Sequence, residues 1–246
     1  MSDAQGIQVL ARAAGILRVL RDRPGGVTQA EIGEQLGLAR STVSRILIAL
    51  EAEGFVAALG PRGPYRLGAG IMSMAAAARR ERFAALRPAL ESLSRELHET
   101  VDLSVLESDR ALFIDQVVAS RRLRAVSAVG DSFPLHSCAN GKAMLAAMPE
   151  ADRERIITGP LQRFTGHTLT EPAALRAELA TVRESGVAID REEQSDGVCA
   201  IGAVVSAGSA GLIAVSVPIP AQRFHGREAE LAAALTGFVA GLDWTP

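Results

Sequence analysis

The chain has 246 residues, of which 48% are hydrophobic and 22% are charged, a composition typical of a globular protein rather than a disordered one. It contains no run of about 18 apolar residues and no signal-peptide pattern, so we expect a cytoplasmic protein without a membrane span. Its two cysteines, Cys138 and Cys199, lie outside any paired ligand spacing, which argues against a disulfide framework and a zinc site. We expect neither a metal nor a cofactor.

The net charge of −2 conceals an uneven distribution along the chain. Residues 1–82 contain 11 arginines and 7 acidic residues, for a net charge of +4, whereas residues 83–246 contain 15 basic and 21 acidic residues, for a net charge of −6. A small basic part joined to a larger acidic part favours a polyanion as the partner of the first part only.

In chain order, helical periodicity first predicts three helices, over about residues 8–21, 29–36 and 40–53. Thr28 has the character of an N-cap, and Glu31 three residues later completes a capping box. Two short extended runs follow, residues 55–59 and 65–67, separated by a turn rich in Gly and Pro that predicts a hairpin.

The rest of the chain alternates between the two periods. We predict helices over residues 71–82, 88–99, 135–148, 172–185 and 222–242. We predict strands over residues 101–106, 111–118, 123–129, 197–205 and 212–217. Strands bracketed by helices within one segment indicate an α+β domain with a mostly antiparallel sheet.

The second and third helices carry the features of a helix-turn-helix. Ala30 is small enough for a close helix crossing, and Gly37 allows the left-handed turn. The predicted DNA-binding residues are Arg40, Ser41, Thr42, Ser44 and Arg45 on the third helix and Arg62 at the hairpin tip. Arginine can bond to guanine bidentately, and hydroxyls serve bases or phosphates. A three-helix module that binds protein is the alternative interpretation, and the basic charge favours double-stranded DNA.

Sequence blocks along the chain give it a resemblance to a known family. They include the helix-turn-helix, LEAEGFV at residues 50–56, YRLG at 65–68, LRA at 123–125, PLHSCANGKA at 134–143, GVAIDREE at 186–193 and AVSV at 214–217. These blocks occur in order, and the resemblance extends over about residues 7–220. The chain resembles the IclR family of bacterial transcriptional regulators.

This resemblance implies a domain organisation and a set of partners. The expected domains are a winged helix-turn-helix over residues 1–70, a dimerising linker helix over 71–84 and a GAF-like effector-binding domain over 85–246. The family implies a homodimer or homotetramer on a palindromic operator, more often as a repressor, with a small organic or aromatic acid as effector. The implied effector-binding residues are Ala125, Phe133, Ala139, Asn140, Asp190, Ala200 and Ser216.

Ser127 is added to this set because it lies two residues after Ala125 on a predicted strand, and residues two apart on a strand share a face. Two departures from the family pattern concern the ligand. Ala200 stands where the family has a cysteine that often contacts the ligand, and Pro218 stands where the family has a second hydroxyl side chain. Fewer polar contacts and two small alanines favour a larger or more apolar acid.

Two clusters allow a second interpretation. His136 and Cys138 could form a nucleophile and base, but a helix cap and a core position are the interpretation that we favour. The acidic run that begins at Asp190 is typical of a solvated loop, whereas the family resemblance places Asp190 in the pocket. The alternative functions are a small-molecule enzyme, which would need a convergent catalytic site that the sequence lacks, and a ligand-free DNA-binding protein.

Overall fold

The computed structural model describes residues 2–61, 63–208 and 211–242. The chain forms two compact units, Met1–Glu81 and Arg82–Pro246. Within the described residues, no helix combines the length and apolar character that crossing a membrane requires.

The first unit contains three helices and a small hairpin. Its elements are α1 (Ser2–Arg21), α2 (Gln29–Leu36), α3 (Arg40–Ala52), β1 (Val56–Ala58) and β2 (Tyr65–Leu67), and helix α4 (Ala69–Phe83) follows. The hairpin is antiparallel, as predicted. The apolar faces of the three helices and the hairpin share one core that contains Ile16, Leu20, Ile32, Val43, Leu47 and Val56. The winged helix-turn-helix that the sequence predicts is therefore confirmed.

Helix α2 begins and ends at the residues that the sequence indicated. The Thr28 hydroxyl accepts a hydrogen bond from the Glu31 backbone N–H at 3.3 Å, and the Thr28 N–H donates to the Glu31 carboxylate at 2.8 Å. This reciprocal capping box satisfies two backbone donors that the first turn leaves free. Gly37 ends the helix with a φ of 63°, a left-handed conformation that glycine adopts without strain.

The second unit is built around one six-stranded sheet. Its strands are β3 (Val101–Glu107), β4 (Arg110–Val117), β5 (Ser132–Pro134), β6 (Ala188–Arg191), β7 (Val198–Gly208) and β8 (Gly211–Pro220). Its helices are α5 (Arg87–Leu97), α6 (Ala139–Ala147), α7 (Glu150–Ile157), α8 (Pro172–Ser185), α9 (Ala221–Phe224) and α10 (Glu228–Ala240). The strand order is β5-β4-β3-β8-β7-β6, and each neighbouring pair is antiparallel. The predicted α+β class is confirmed.

The two faces of this sheet pack against different helices because successive side chains of a strand point to opposite sides. On β3, Val101 and Leu103 join the core beside α5 and α10. Asp102 and Ser104 alternate with them, and Ser104 accepts a hydrogen bond at 2.7 Å from Asn140 of α6. The face that α6 covers therefore carries buried polar groups.

The predicted strand over residues 123–129 is wrong. Leu123, Val126 and Val129 are exposed in an irregular segment, and the short β5 follows at Ser132–Pro134. The segment is fixed by a side chain instead of a strand ladder, because the Gln116 amide donates to the Ser127 carbonyl at 2.6 Å. Alternating apolar residues predict an extended segment, but they do not show whether a neighbouring strand is available to pair with it.

Three other elements differ from the prediction. The sequence reading missed α7 and β6, and the first four residues of the predicted helix over 135–148 form a turn before α6. The single helix predicted over 222–242 is two helices, α9 and α10. They are interrupted at Gly226, which has a φ of 84° that a continuous helix excludes.

Candidate functional site

The first candidate site is the outer face of α3. Arg40, Ser41 and Arg45 are exposed, while Thr42 and Ser44 are half-buried at the edge of the face. The opposite face of the helix is apolar and buried in the core of the first unit. Neither arginine forms an ion pair with another described residue, so both guanidinium groups are free for a partner. This arrangement can present donors to base edges in a major groove.

Two further observations concern this site. Ile48 lies on the same outer face as Ser44, one turn further along, and its side chain is 61% exposed. Ile48 was not among the predicted DNA-binding residues, although the helical spacing places it outside the apolar face of α3. An apolar side chain there suits contact with a thymine methyl group. Arg62, the predicted wing residue, lies outside the described residues.

The second candidate site, which we call the sheet cavity, lies in the second unit. Its volume is about 110 Å³. All six strands of the sheet contribute to its wall, together with the first turn of α6 and the irregular segment before β5. The eight predicted effector-binding residues all line it, namely Ala125, Ser127, Phe133, Ala139, Asn140, Asp190, Ala200 and Ser216. The structure thus brings together residues that are up to 91 positions apart in the sequence.

The sequence reading missed several other lining residues. They are Asp102, Phe113, Val126, Cys138, Gln194, Ser195 and Val198, and Pro218 lines the cavity at the position where the family has a hydroxyl. Asp102 is the most informative of these, because its carboxylate is buried. It alternates with Val101 and Leu103, a pattern that is equally typical of a strand with one solvated face, so the sequence contained no signal for its place in the cavity.

Asp102 is held in place by two hydrogen bonds, one to each carboxylate oxygen. The Gln116 amide donates to Oδ1 at 2.6 Å, and the Ser127 hydroxyl donates to Oδ2 at 2.8 Å. Burial raises the pKa of Asp102 to about 6, against the lowering effect of these two donors. The carboxyl group therefore faces the cavity in a partly protonated state near neutral pH.

Asp190 lies on β6 and is buried, so the interpretation of this run as a solvated loop is wrong for Asp190. Its Oδ1 accepts a hydrogen bond from the Glu193 N–H at 2.7 Å. Burial, and then repulsion from the Glu193 carboxylate, raises the pKa of Asp190 to about 7. The sheet cavity thus contains a second carboxyl group whose charge changes near neutral pH.

No Lys, Arg or His lines the sheet cavity among the described residues. An acid effector would find no cationic side chain there, and the effector class that the family resemblance implied stays a prediction. The cavity volume of about 110 Å³ is below the roughly 300–1,000 Å³ of pockets for drug-sized ligands.

A buried ion cluster lies behind the Asp190 wall of the cavity. Lys142 of α6, the only lysine in the chain, is 0% exposed. Its ammonium group donates to Glu193 at 2.6 Å, to Glu178 of α8 at 3.0 Å and to the Ile189 carbonyl. These bonds connect α6 and α8 to the residues on either side of Asp190.

His136 and Cys138 do not form a nucleophile and base. Cys138 is the N-cap of α6, where its Sγ accepts a hydrogen bond from the Gly141 N–H at 3.4 Å. Burial raises the pKa of this thiol to about 12, so it is not a nucleophile at neutral pH. His136 is buried and contacts the Gln162 carbonyl at 2.9 Å through Nε2.

One cluster combines donor types that suit zinc. The ligand atoms of Glu192, Cys199 and His225 lie within 4.8 Å of one another, and their separation in the sequence hid this arrangement. Burial raises the pKa of Cys199 to about 11, so a metal ion bound here would have to displace the thiol proton.

The raised pKa of Asp190 makes stability depend on pH. The unfolded chain releases this proton near pH 4, whereas the folded chain retains it until about pH 7. The free energy of unfolding therefore falls as the pH rises between these values, by up to about 1.4 kcal/mol per pH unit. Asp190→Asn removes this contribution, so its stability relative to the native chain should increase with pH across this window.

Urea unfolding of both chains over a pH series measures this difference. Asp196→Asn, which removes an exposed carboxyl from the loop after β6, is the control and should follow the native profile. A constant difference between Asp190→Asn and the native chain would show that Asp190 has an ordinary pKa.

A helix-turn-helix with a free polar face, followed in the chain by an α+β unit with a partly open cavity, defines a DNA-binding transcription regulator. The comparisons with known proteins agree. The family description "IclR helix-turn-helix domain" matches residues 9–60, and "Bacterial transcriptional regulator IclR C-terminal" matches residues 74–244. The chain belongs to the IclR family of bacterial transcriptional regulators, which are regulators and not enzymes.

Three similar proteins illustrate the relationship. The HTH-type transcriptional regulator Rv1719 of Mycobacterium tuberculosis is 60% identical over 97% of this chain and 92% of its own length. The transcriptional repressor IclR of Escherichia coli is 30% identical over 81% of this chain and 74% of its own length. A solved IclR homologue from Microbacterium hydrocarbonoxydans, in complex with 4-hydroxybenzoate, superposes with a TM-score of 0.79 at 23% identity, covering 95% of this chain and 96% of its own.

Proposed function

We propose that this regulator is a repressor whose binding to a palindromic operator is modulated by a small molecule in the sheet cavity. The observation that carries the proposal is this cavity, which is lined by the seven residues implied by the family resemblance and by Ser127. The E. coli relative is named a repressor, which supports the sign of regulation. The homologue with 4-hydroxybenzoate supports the shared fold, and its ligand serves here as a probe.

The proposed assembly is a homodimer or homotetramer in the cytoplasm, with the domain boundaries at residues 70 and 84. Met72 and Met74 on α4 are 75% and 59% exposed, which supports a linker helix that packs against a second copy. A dimer places two recognition helices about 34–36 Å apart on DNA. A ligand that favours one arrangement of the linker helices then alters operator affinity, and a tenfold change requires about 1.4 kcal/mol of coupling.

The test is operator affinity with and without ligand. The full chain first selects a duplex from a randomised library, and fluorescence anisotropy then measures binding during a screen of small acids, alcohols and phenols. At least one compound should change the affinity by about tenfold. Ala125→Phe fills the cavity and should abolish the response without changing the affinity in the absence of ligand.

Val129→Phe is the matched control, since it introduces the same side chain at an exposed position of the same segment. This variant should respond to the ligand as the native chain does. If no compound changes operator affinity, the alternative of a ligand-free DNA-binding protein is correct.

A further inference from the structure

Among the described residues that line the sheet cavity, the side chains that ionise near neutral pH are both carboxyl groups. Asp102 and Asp190 each bring a buried carboxyl group to its wall, and Ser216 brings a hydroxyl. Asn140 also lines the cavity, and its Oδ1 has no hydrogen-bond partner among the described residues. The lining is therefore rich in acceptors and contains no cationic side chain in the described part of the chain.

These acceptors retain capacity for a ligand. A carboxylate can accept about four hydrogen bonds, and Asp102 accepts two side-chain bonds within the protein. The Asn140 amide donates its Nδ2 hydrogen to Ser104, which leaves the carbonyl oxygen as the unused group. That oxygen has almost no accessible surface and lies beside Gly202, so the acceptors available to a ligand are those of the two carboxyl groups and Ser216.

One feature of the cavity carries positive charge, opposite to the charge of the carboxyl groups. The first turn of α6 contributes Ala139 and Asn140 to the wall, and a helix N-terminus carries about half a positive charge. Two carboxyl groups oppose it, with pKa values of about 6 and 7. At a pH above both pKa values, the two carboxyl groups bring two full negative charges to the same cavity, so the net charge at its wall is negative.

The remaining lining is apolar and sets the size of the ligand. Phe113 and Phe133 pack edge to face with ring centroids 5.0 Å apart, and alanines, Val198 and Pro218 contribute more apolar surface. An apolar cavity of about 150 Å³ accommodates a benzene ring. The sheet cavity, at about 110 Å³, therefore fits a molecule of about one aromatic ring or smaller.

We infer that the sheet cavity selects a small molecule of at most about one ring that donates hydrogen bonds through hydroxyl groups and carries no negative charge, and that it discriminates against the corresponding carboxylate. This inference rests on the proposed ligand-sensing function of the same cavity. The acceptors select the donor groups, and the two carboxyl groups repel an anion.

The test uses two probes that differ in one group, 4-hydroxybenzyl alcohol and 4-hydroxybenzoate. Isothermal titration calorimetry of the full chain, at a pH above the pKa values of both carboxyl groups, measures both dissociation constants. We expect the alcohol to bind at least about tenfold more tightly than the carboxylate. Asp102→Asn and Asp190→Asn each remove one negative charge and should reduce this preference, and Ala125→Phe should abolish binding of both probes.

The outcomes separate this inference from the proposed function. Equal or tighter binding of 4-hydroxybenzoate by the native chain would overturn the selectivity and leave the ligand-sensing function intact. Binding of neither probe, together with no response in the operator screen, would overturn both. An unchanged preference in both Asn variants would also overturn the inference, because the carboxyl groups would then not be its cause.

Discussion

Lys142→Met should destabilise the second unit by about 3–5 kcal/mol, because it leaves a buried carboxylate without its cation. The Lys142 ammonium is fully buried, as is nearly all of the Glu193 side chain that it contacts. One oxygen of Glu193 already has no hydrogen-bond partner among the described residues, so the remaining carboxylate would have few alternatives. In a domain of this size the loss corresponds to a decrease in Tm of roughly 6–20 °C.

Calorimetry of the full chain measures this effect, with Arg176→Met as the matched control. Arg176 also forms an ion pair, with Glu154 at 2.6 Å, but both side chains are partly exposed. Solvent screens such a pair, so the control should cost less than about 1 kcal/mol. Adding Glu193→Leu to Lys142→Met removes the isolated charge and should restore part of the stability. Equal effects of the two Met variants would contradict this account of the cluster.

Lys142 also has a consequence for the sheet cavity. Its bonds to the Ile189 carbonyl and to Glu193 fix the backbone on both sides of Asp190. Lys142 is thus a positioning residue for the cavity wall, although it does not line the cavity.

Arg45→Ala should weaken binding to the selected duplex by about 1–3 kcal/mol, or between about fivefold and 150-fold, and relax its sequence preference. Arg45 is exposed on the outer face of α3 and has no ion-pair partner among the described residues. A guanidinium group in the major groove can bond bidentately to guanine, and alanine cannot replace either bond.

Fluorescence anisotropy against the selected duplex and single-base variants of it measures both effects. Arg183→Ala, an exposed position on a helix of the acidic unit, is the control for the loss of one positive charge and should leave binding nearly unchanged. Unaltered affinity in Arg45→Ala would show that a different part of α3 faces the DNA.

Local sequence signals were sufficient to predict the architecture of the first unit. The capping box of Thr28 and Glu31, the turn at Gly37 and the helical spacing of apolar residues on α3 all occur as predicted. These features depend on residues within a few positions of one another, and backbone hydrogen bonding makes their effect nearly independent of the rest of the chain. The bounds of α8 and β2 were predicted for the same reason.

The chemistry of the sheet cavity, in contrast, depends on contacts between residues that are far apart in the sequence. The family resemblance supplied seven of its residues, but neither that resemblance nor the periodicity indicated that Asp102 would lie beside them. The segment over residues 123–129 has a strand-like pattern, yet whether it pairs depends on strands far away in the sequence. The burial of Asp102 and Asp190, which raises their pKa values, also depends on residues far away in the sequence. A side chain is desolvated by whatever packs around it, and those neighbours come from all six strands of the sheet.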